Sequence, residues 1–539
     1  MTGLPEPSQS GDKKGLSRDV RNAQAMSTTH LQDDLGRRTI SGGGMFLAAH
    51  VLKVIIQFGT LALLGRLLLP DDFGVMAICW AVLGFVSMFA DLGLGTATIQ
   101  RKEIDQNATS VLFIIGIGVS FIVALIVAAL APAAVAVFRD DRLLLAIPAI
   151  ALTIPINMLS TQHYALLIRT MRWTDLQIAA IFSQLVGAVT AVALALFASA
   201  GYWALIAQAW ASAIVYTGYM LLRCDWRPSL PKDWKAASAS VKLGLNLTGF
   251  TFLNYFHRQL DNVLIGWRWG TIELGHYARA YALLMVPINF VNGPVGSALE
   301  PALSRLQDKP QQWRRAYLDG LAVVTLVGGA ITTTLFGGAA PIIETVYGPD
   351  WDATIAIFGM LAFSMLFGTP MSATGWIYVS LGRTNRMLHW ALIATPVYVT
   401  GFLIGLPYGA VGLAAGYSVS AALLFLPAFM FAVRKTSVSL ADVMQIVLPF
   451  SLCAAGIGLG LRYVTTDLNT LFGLLATGLG LCLYLGLSGL VVMTLPPYAS
   501  IRDRGLRMLA SLSHKVLGTK HRAAVAGRPS PPDKRDEDQ

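Results

Sequence analysis

Charged residues are scarce in this chain of 539 residues, since only 13% are Asp, Glu, Lys or Arg. Soluble globular proteins carry about twice that share. Hydrophobic residues make up 55% and the mean hydropathy is +0.60. This composition excludes an ordinary soluble enzyme, whose surface needs charge, and it excludes a disordered protein, which has too few apolar residues to form a core.

Cysteine is also scarce, and the motifs of common catalytic sites are missing. The four cysteines are scattered at Cys79, Cys224, Cys453 and Cys482, without a spacing typical of a metal or redox site. The sequence contains no GxxxxGK[ST] phosphate-binding loop and no HExxH metal motif. We therefore expect no metal, no cofactor and no ATP hydrolysis by this chain.

Hydrophobic stretches of membrane-spanning length are abundant instead. A bilayer core takes about 20 apolar residues per helix, and we count about fourteen such stretches between residues 43 and 492. They cover approximately residues 43–68, 74–94, 110–138, 143–168, 176–198, 202–222, 243–267, 276–299, 316–336, 353–379, 387–406, 410–433, 443–461 and 471–492. Because open strands would leave backbone groups unpaired in hydrocarbon, the sequence predicts an all-α, polytopic integral membrane protein.

The basic residues fall mainly in alternate loops. Most of the 40 Lys and Arg residues lie on the side of the membrane that holds the N-terminal tail. The opposite face holds only Arg66, Arg139, Arg142, Arg268, Arg279 and Arg462. Because positively charged loops face the cytoplasm, we expect both termini there. The net charge of +10 reflects this topology, and we expect no nucleic-acid partner.

An internal repeat organises the chain. A shift of 201 residues places Gly65 on Gly266 and Gly74 on Gly275, and it carries the first two spans onto the seventh and eighth in matching orientation. Such repeats predict two six-helix lobes with the substrate path between them. The expected parts are a polar cytoplasmic tail (1–40), an N-lobe of helices 1–6 (41–228), a C-lobe of helices 7–12 (229–436), helices 13 and 14 (437–495) and a basic cytoplasmic tail (496–539).

The strongest candidate site lies in the seventh span, because ionisable groups inside membranes are costly and typical of function. Arg258 and Asp261 are three residues apart and share a helix face, with Asn262 adjacent. A guanidinium suits phosphate or carboxylate through its paired donors. We expect Arg258 to face a water-filled cavity and Asp261 to lower its desolvation cost. The alternative is a structural ion pair that locks this helix to a neighbour.

Further candidates lie in the first two spans. Lys53 and Gln57 are four residues apart, and Gln57 is the repeat counterpart of Arg258, so we expect both lobes to present polar groups to one cavity. The alternative for Lys53 is snorkelling to the membrane surface. Asp91, near the cytoplasmic end of the second span, is a candidate gate or helix-end contact. Two arginines nearer the outer face are expected at the surface, namely Arg66 and Arg279.

Several local motifs carry a family resemblance. They are GRLLLPDDFGVMA (65–77), FADLGLGTATIQR (89–101), CDWRP (224–228), RQLDNVLIGWRWGTIELGHYARAY (258–281) and SLGRTN (380–385). In this combination the chain resembles the polysaccharide transporter (Wzx-type) flippases of the multidrug/oligosaccharidyl-lipid/polysaccharide exporter superfamily.

The resemblance implies a flippase of the bacterial inner membrane. Its substrate would be an undecaprenyl-pyrophosphate-linked oligosaccharide for capsule, exopolysaccharide or lipopolysaccharide biosynthesis, moved by alternating access, with Arg258 and Lys53 meeting the pyrophosphate. Its partners would be this lipid-linked oligosaccharide, membrane lipids, and a polysaccharide polymerase or export proteins. Similar transporters use ion gradients, and no residue here identifies the ion.

Other functions stay open at this point. An ion-coupled multidrug-type antiporter of small molecules belongs to the same superfamily, but the two added spans and the cationic seventh span favour an anionic lipid. A lipid II flippase has similar spans, but its motifs match less well. A membrane glycosyltransferase or polymerase needs a sizeable outer domain, and the outward loops are short, so we expect that the chain is not an enzyme. A structural scaffold would need no Arg–Asp pair inside the membrane.

Overall fold

In a computed structural model, the backbone is described for residues 22, 26, 35–91, 94–100, 104–231, 233–234, 238–498 and 502. Side chains are described for residues 22, 26, 48–84, 94–96, 98–99, 104–231, 233–234, 259–288, 295–296, 298–498 and 502. Within these ranges the chain is helical and contains no β-strand. Of the predicted terminal tails, only short pieces fall inside the described residues.

Eighteen α-helices are defined in the described chain. They are α1 (Leu35–Leu67), α2 (Pro70–Asp91), α3 (Leu94–Gln100), α4 (Gln106–Ala129), α5 (Ala131–Phe138), α6 (Leu143–Ala151), α7 (Thr153–Arg169), α8 (Trp173–Phe197), α9 (Tyr202–Arg223), α10 (Ser238–Arg305), α11 (Pro310–Gly337), α12 (Ala339–Val346), α13 (Asp352–Ser372), α14 (Thr374–Ser380), α15 (Thr384–Gly405), α16 (Gly409–Val433), α17 (Leu440–Thr466) and α18 (Thr470–Thr494).

The predicted hydrophobic stretches coincide with these helices wherever the backbone is described. Ten helical segments among the described residues are long and apolar enough to cross a membrane. The prediction of an all-α, polytopic membrane protein is therefore confirmed. The count of fourteen spans and the lobe boundaries stay predictions.

Local sequence signals explain where several helices begin and turn. The Asp105 carboxylate accepts a hydrogen bond from the Ala108 amide at the start of α4, and Ser439 with Asp442 forms a capping box at the start of α17; both pair amides that a helix start leaves free. Within α10, Gly270 adopts φ +84°, a conformation that favours glycine. This residue turns α10 into a hairpin that joins the seventh and eighth predicted spans.

The two repeats meet through a reciprocal pair of glycines on α2 and α10. A Cβ added to Gly74 would lie 1.8 Å from the Thr271 carbonyl oxygen, and one added to Gly275 would lie 1.7 Å from the Pro70 carbonyl oxygen. The shift of 201 residues relates Gly74 to Gly275 and also Pro70 to Thr271. Each repeat therefore makes the same backbone contact with the other, as a pseudo-two-fold axis requires.

The hairpin of α17 and α18 packs onto α11 of the second repeat. The Tyr484 hydroxyl donates to the Leu326 carbonyl at 2.9 Å, and the Thr465 hydroxyl donates to the Gly337 carbonyl at 2.8 Å. Tyr484 fits there because Gly329 carries no side chain, and a Cβ at Gly329 would lie 2.1 Å from the Tyr484 hydroxyl. These last two helices are thus attached to helices of the second repeat.

Candidate substrate cavity

A cavity of about 1150 Å³ lies between the first-repeat helices and the α10 hairpin. It is lined by α1, α2, α7, α8 and α9 on one side and by both arms of α10 on the other. The polar and aromatic lining residues are Gln57, Thr60, Phe73, Trp80, Thr153, Asn157, Thr161, Ser183, Gln184, Gln208, Ser212, Tyr216, Gln259, Asp261, Asn262, Arg279 and Tyr281. The cavity exceeds the range of about 300–1,000 Å³ that is usual for small-molecule sites.

Equivalent positions of the two repeats line this cavity. Thr60 and Asp261 are related by the shift of 201 residues, and so are Trp80 and Tyr281; all four are lining residues. The cavity therefore lies across the pseudo-two-fold axis, where parallel-repeat transporters place their substrates.

Among the described lining residues, only Asp261 and Arg279 carry a formal charge, and both lie on α10. Asp261 is 8% exposed; its carboxylate accepts from the Tyr277 hydroxyl and from the backbone N–H of Asn262, both at 2.8 Å. The Arg279 guanidinium carbon lies 4.1 Å from the centre of the Phe73 ring, a distance that allows a cation–π interaction. The Arg279 Nε is shielded from solvent and donates no hydrogen bond within the described residues. Because Arg279 also lines the cavity, its guanidinium can meet an anion there.

The first-repeat wall combines apolar side chains with polar ones that carry no charge. The carboxamides of Gln57 on α1, Asn157 on α7 and Gln208 on α9 all line the cavity. By contrast, the Gln184 side chain is occupied, because its amide donates to the Lys53 carbonyl at 3.1 Å. This wall offers both hydrogen-bond donors and acceptors to whatever enters.

A polar cluster joins the two repeats beside the cavity; we call Asp71, Asp140, Arg142 and Thr271 the latch. Arg142 donates to the Asp71 carboxylate at 2.6 and 2.9 Å and to Asp140 at 2.6 Å. The Thr271 hydroxyl of α10 also donates to Asp71. These groups lie outside the predicted spans, and the hydrogen bonds from Arg142 hold the pKa of Asp71 below its usual range.

Three further hydrogen bonds join the two repeats at the end of the cavity where the latch lies. The Trp351 indole donates to the Gly65 carbonyl at 2.9 Å. Arg66 donates to the carbonyls of Thr345 and Val346. Phe73 and Arg279 line the cavity; Phe73 lies two residues beyond Asp71 on α2, and Arg279 lies about two helical turns beyond Thr271 on α10. The molecule is closed at this end of the cavity.

The sequence-predicted site residues are only partly brought together. Gln57, Asp261 and Asn262 line the cavity. Lys53 is not among the described lining residues, and its ammonium donates to the Gln177 carboxamide at 3.0 Å. The side chains of Arg258 and Asp91 lie outside the described residues, so their predicted roles stay predictions.

Sequence reasoning missed Arg279. The expectation that it is a surface residue is wrong, because it lines the cavity and its Nε is shielded from solvent. The signal was present, since Arg279 falls inside the predicted span 276–299, and the rule that charges inside membranes mark function applies to it as it does to Arg258. Arg66 is exposed, as expected.

Metal-binding clusters are not found at the cavity or elsewhere in the described chain. No three His, Cys, Asp or Glu side chains gather there in a way that would hold a metal ion. The chemistry available to the described cavity is hydrogen bonding, aromatic contact and a single cation.

Comparisons with known proteins identify sequence relatives. Residues 63–356 match the family described as "Polysaccharide biosynthesis protein". The succinoglycan biosynthesis transport protein ExoT of Rhizobium meliloti is 24% identical over 66% of this chain and 71% of its own length. The lipopolysaccharide biosynthesis protein WzxC of Escherichia coli is 22% identical over 71% of this chain and 78% of its own length.

Solved structures show the same fold. The lipid II flippase MurJ, in an inward closed conformation, superimposes with a TM-score of 0.68 at 14% identity, covering 83% of this chain and 98% of its own. An inward-facing multidrug transporter of the MATE family gives a TM-score of 0.55 at 13% identity, covering 74% of this chain and 99% of its own. At these identities the likeness concerns the fold alone.

Proposed function

Because the chain belongs to the polysaccharide biosynthesis protein family, we propose that it is a flippase that moves an undecaprenyl-pyrophosphate-linked oligosaccharide across the bacterial inner membrane. The product would serve capsule, exopolysaccharide or lipopolysaccharide assembly. The observation that carries this proposal is the cavity between the repeats, which combines an uncharged hydrogen-bonding wall with a cation on the facing hairpin. A glycan joined to a pyrophosphate has the same two-part chemistry.

The charged end of the substrate is assigned to α10. Arg279 has a shielded Nε without a partner among the described residues, and guanidinium groups bind phosphate through paired donors. We assign the pyrophosphate to Arg279 together with Arg258, the cation predicted on the same hairpin. Asp261 on the first arm of α10 accepts a hydrogen bond from Tyr277 on the second arm, and we assign it the role of holding these two arms together.

The transport cycle follows from the latch. If both termini lie in the cytoplasm, as the charge distribution predicts, the latch lies at the outer face, and this conformation is closed to the outside. Opening the latch while the opposite ends of the repeats approach each other would expose the cavity outward, which is alternating access. The lipid tail would stay in the bilayer throughout.

Two observations favour this proposal over its main alternative, an ion-coupled multidrug-type antiporter. At about 1150 Å³, the cavity is larger than a drug-sized molecule needs. The names of ExoT and WzxC also connect those relatives with polysaccharides.

The test is leaflet-resolved translocation in proteoliposomes that contain the purified protein. A fluorescent undecaprenyl-pyrophosphate-linked oligosaccharide is loaded, and its exposure is followed with a membrane-impermeant quencher under imposed proton and sodium gradients. We expect movement by the wild type and loss of movement in Arg279→Ala and in Arg258→Ala. Movement of small cationic dyes without movement of the lipid would favour the antiporter.

A matched control separates loss of charge from loss of fold. Arg315 lies on the surface, away from the cavity, and Arg315→Ala removes the same side chain there. We expect this variant to transport as the wild type does. Equal loss in Arg279→Ala and Arg315→Ala would contradict the assignment of the pyrophosphate to Arg279.

A further inference from the structure

The uncharged wall of the cavity indicates which class of sugar residue the protein selects. We propose that Gln57, Asn157 and Gln208, with the ring of Trp80, form a glycan-recognition surface that selects sugar residues without charge. This inference rests on the proposed function and adds to it the chemical class of the glycan and the residues that select it.

The first argument is that the three carboxamides are available. They come from three different helices, α1, α7 and α9, and all three line one cavity. Among the described residues their side-chain amides form no hydrogen bond. The carboxamides on the facing α10 hairpin are hydrogen-bonded to each other, because the side-chain amide of Asn262 donates to the Gln259 carboxamide oxygen at 2.8 Å. Polar groups that serve only to join helices would be hydrogen-bonded to a neighbouring helix, and in the described chain these three are not.

The second argument is chemical complementarity. A carboxamide both donates and accepts hydrogen bonds, and so does a sugar hydroxyl. Several carboxamides can therefore satisfy several hydroxyls of a pyranose ring at once. Trp80 is 46% exposed and lines the same cavity, where its ring offers an apolar face with a polar edge. A pyranose likewise has an apolar face of C–H groups and a polar rim.

The third argument concerns charge. None of the described residues that α1, α2, α7, α8 and α9 contribute to the cavity is Lys, Arg, Asp or Glu. A uronic acid at this wall would lose hydration without gaining a cation, which is costly. An uncharged hexose would exchange its water hydrogen bonds for those of the carboxamides. Sites that bind hydroxyls in this way discriminate strongly against substrates that leave the polar groups unpaired.

The experiment measures the binding of three defined lipids to purified full-length protein in detergent by native mass spectrometry. The lipids are undecaprenyl pyrophosphate alone, the same lipid with a neutral hexose tetrasaccharide, and the same lipid with one hexose replaced by glucuronic acid. The variants are Gln57→Leu, Asn157→Leu, Gln208→Leu and the triple variant. Gln311→Leu serves as the matched control, because Gln311 is exposed at the start of α11, far along the chain from the cavity wall.

We expect the wild type to bind the neutral glycolipid more tightly than the bare lipid. Each single variant should lose about fivefold of this difference, the change that corresponds to one hydrogen bond of about 1 kcal/mol, and the triple variant should lose nearly all of it. Binding of the bare lipid should stay unchanged in every variant, which also shows that the variants are folded. The glucuronic acid lipid should bind more weakly than the neutral one.

The outcomes are separable. A triple variant that retains the glycan-dependent difference would overturn this inference, and so would equal binding of the neutral and glucuronic acid lipids. Either result leaves the proposed function standing as long as the bare lipid binds and Arg279→Ala weakens that binding. If the wild type binds none of the three lipids, the proposed function fails and this inference fails with it.

Discussion

The glycine contact between the repeats yields a sharp prediction about gating. Replacing Gly74 with Ala places a methyl group 1.8 Å from the Thr271 carbonyl oxygen. That neighbour is backbone rather than a side chain that can rotate away. The backbones of α2 and α10 must therefore separate by roughly 1.5 Å before the contact becomes an ordinary van der Waals distance. We expect the protein to fold and to populate the open conformation of the latch.

The size of the effect follows from the latch. A separation of this order takes the Thr271 hydroxyl beyond hydrogen-bonding distance of Asp71. A hydrogen bond to a charged group contributes about 1.5–3 kcal/mol to stability. The contribution is smaller here because the Asp71 side chain is 32% exposed and solvent screens its charge. A net cost of about 1–2 kcal/mol changes the ratio of closed to open molecules by roughly 5- to 30-fold.

Spin-label distance measurements provide the assay. Leu69 and Ile272 lie on either side of the contact and are 65% and 59% exposed, so labels there should disturb little packing. The labels are attached to cysteines in a background that lacks the four native cysteines. We expect Gly74→Ala to increase the population with the longer distance, and Gly275→Ala, whose methyl group would meet the Pro70 carbonyl, to act in the same way.

The matched control is Gly118→Ala, since a Cβ at Gly118 meets nothing within 4 Å. Gly→Ala in a helix improves helix propensity by about 1 kcal/mol at either position, so this contribution cancels in the comparison. If Gly74→Ala leaves the distance distribution unchanged, the latch region does not move as a gate. If Gly74→Ala does not fold while Gly118→Ala does, the glycine contact is a permanent part of the fold.

Three further predictions concern the latch, the cavity cation and the stability of the first repeat. The Asp71 pKa is lowered in the folded protein, mainly by hydrogen bonds from Arg142. The stabilisation that the latch gives to the closed conformation is therefore present above the ordinary carboxyl pKa of 3.8 and is lost only as the pH falls below it. The spin-label distance should be constant between about pH 5 and 8, and a transition in that window would contradict the assignment. Arg279→Lys keeps the charge but loses the paired donors, so translocation in proteoliposomes should fall between that of the wild type and Arg279→Ala, whereas full activity would show that charge alone suffices. Trp226 is fully buried and its indole donates to Gln106 at 2.7 Å. Trp226→Ala should therefore destabilise the protein by about 3–5 kcal/mol, which would lower the midpoint of thermal unfolding in detergent. An unchanged midpoint would contradict this packing.

Much of the fold was predictable because hydropathy and charge are read along the chain one segment at a time. The predicted span at 202–222 coincides with α9 (Tyr202–Arg223) almost to the residue. The predicted span at 143–168 is divided by the structure into α6 and α7, next to the prolines Pro148 and Pro155 that disturb helical hydrogen bonding. Such local signals survive in any tertiary context.

The composition of the cavity was less predictable because it depends on which helix faces meet. Gln57, Asp261 and Asn262 share one cavity, whereas the relation of Gln57 to Arg258 through the repeat stays a prediction. Asn157 also lines the cavity, and its side chain has no hydrogen-bond partner among the described residues. Periodicity gives the spacing of side chains on a helix but does not show whether a polar face meets another helix or an opening between helices.

The two repeats keep their symmetry where backbone meets backbone and lose it where they would meet a substrate. Gly74 and Gly275 remain equivalent because a side chain at either position would clash with the opposite backbone. Around the cavity the equivalent positions diverge, since Thr60 corresponds to Asp261 and Ile78 to Arg279. A substrate that is itself symmetric would favour equal walls. An uncharged wall facing a charged hairpin instead suits a molecule with an uncharged end and an anionic end, and this asymmetry supports a glycan joined to a pyrophosphate over a small cation.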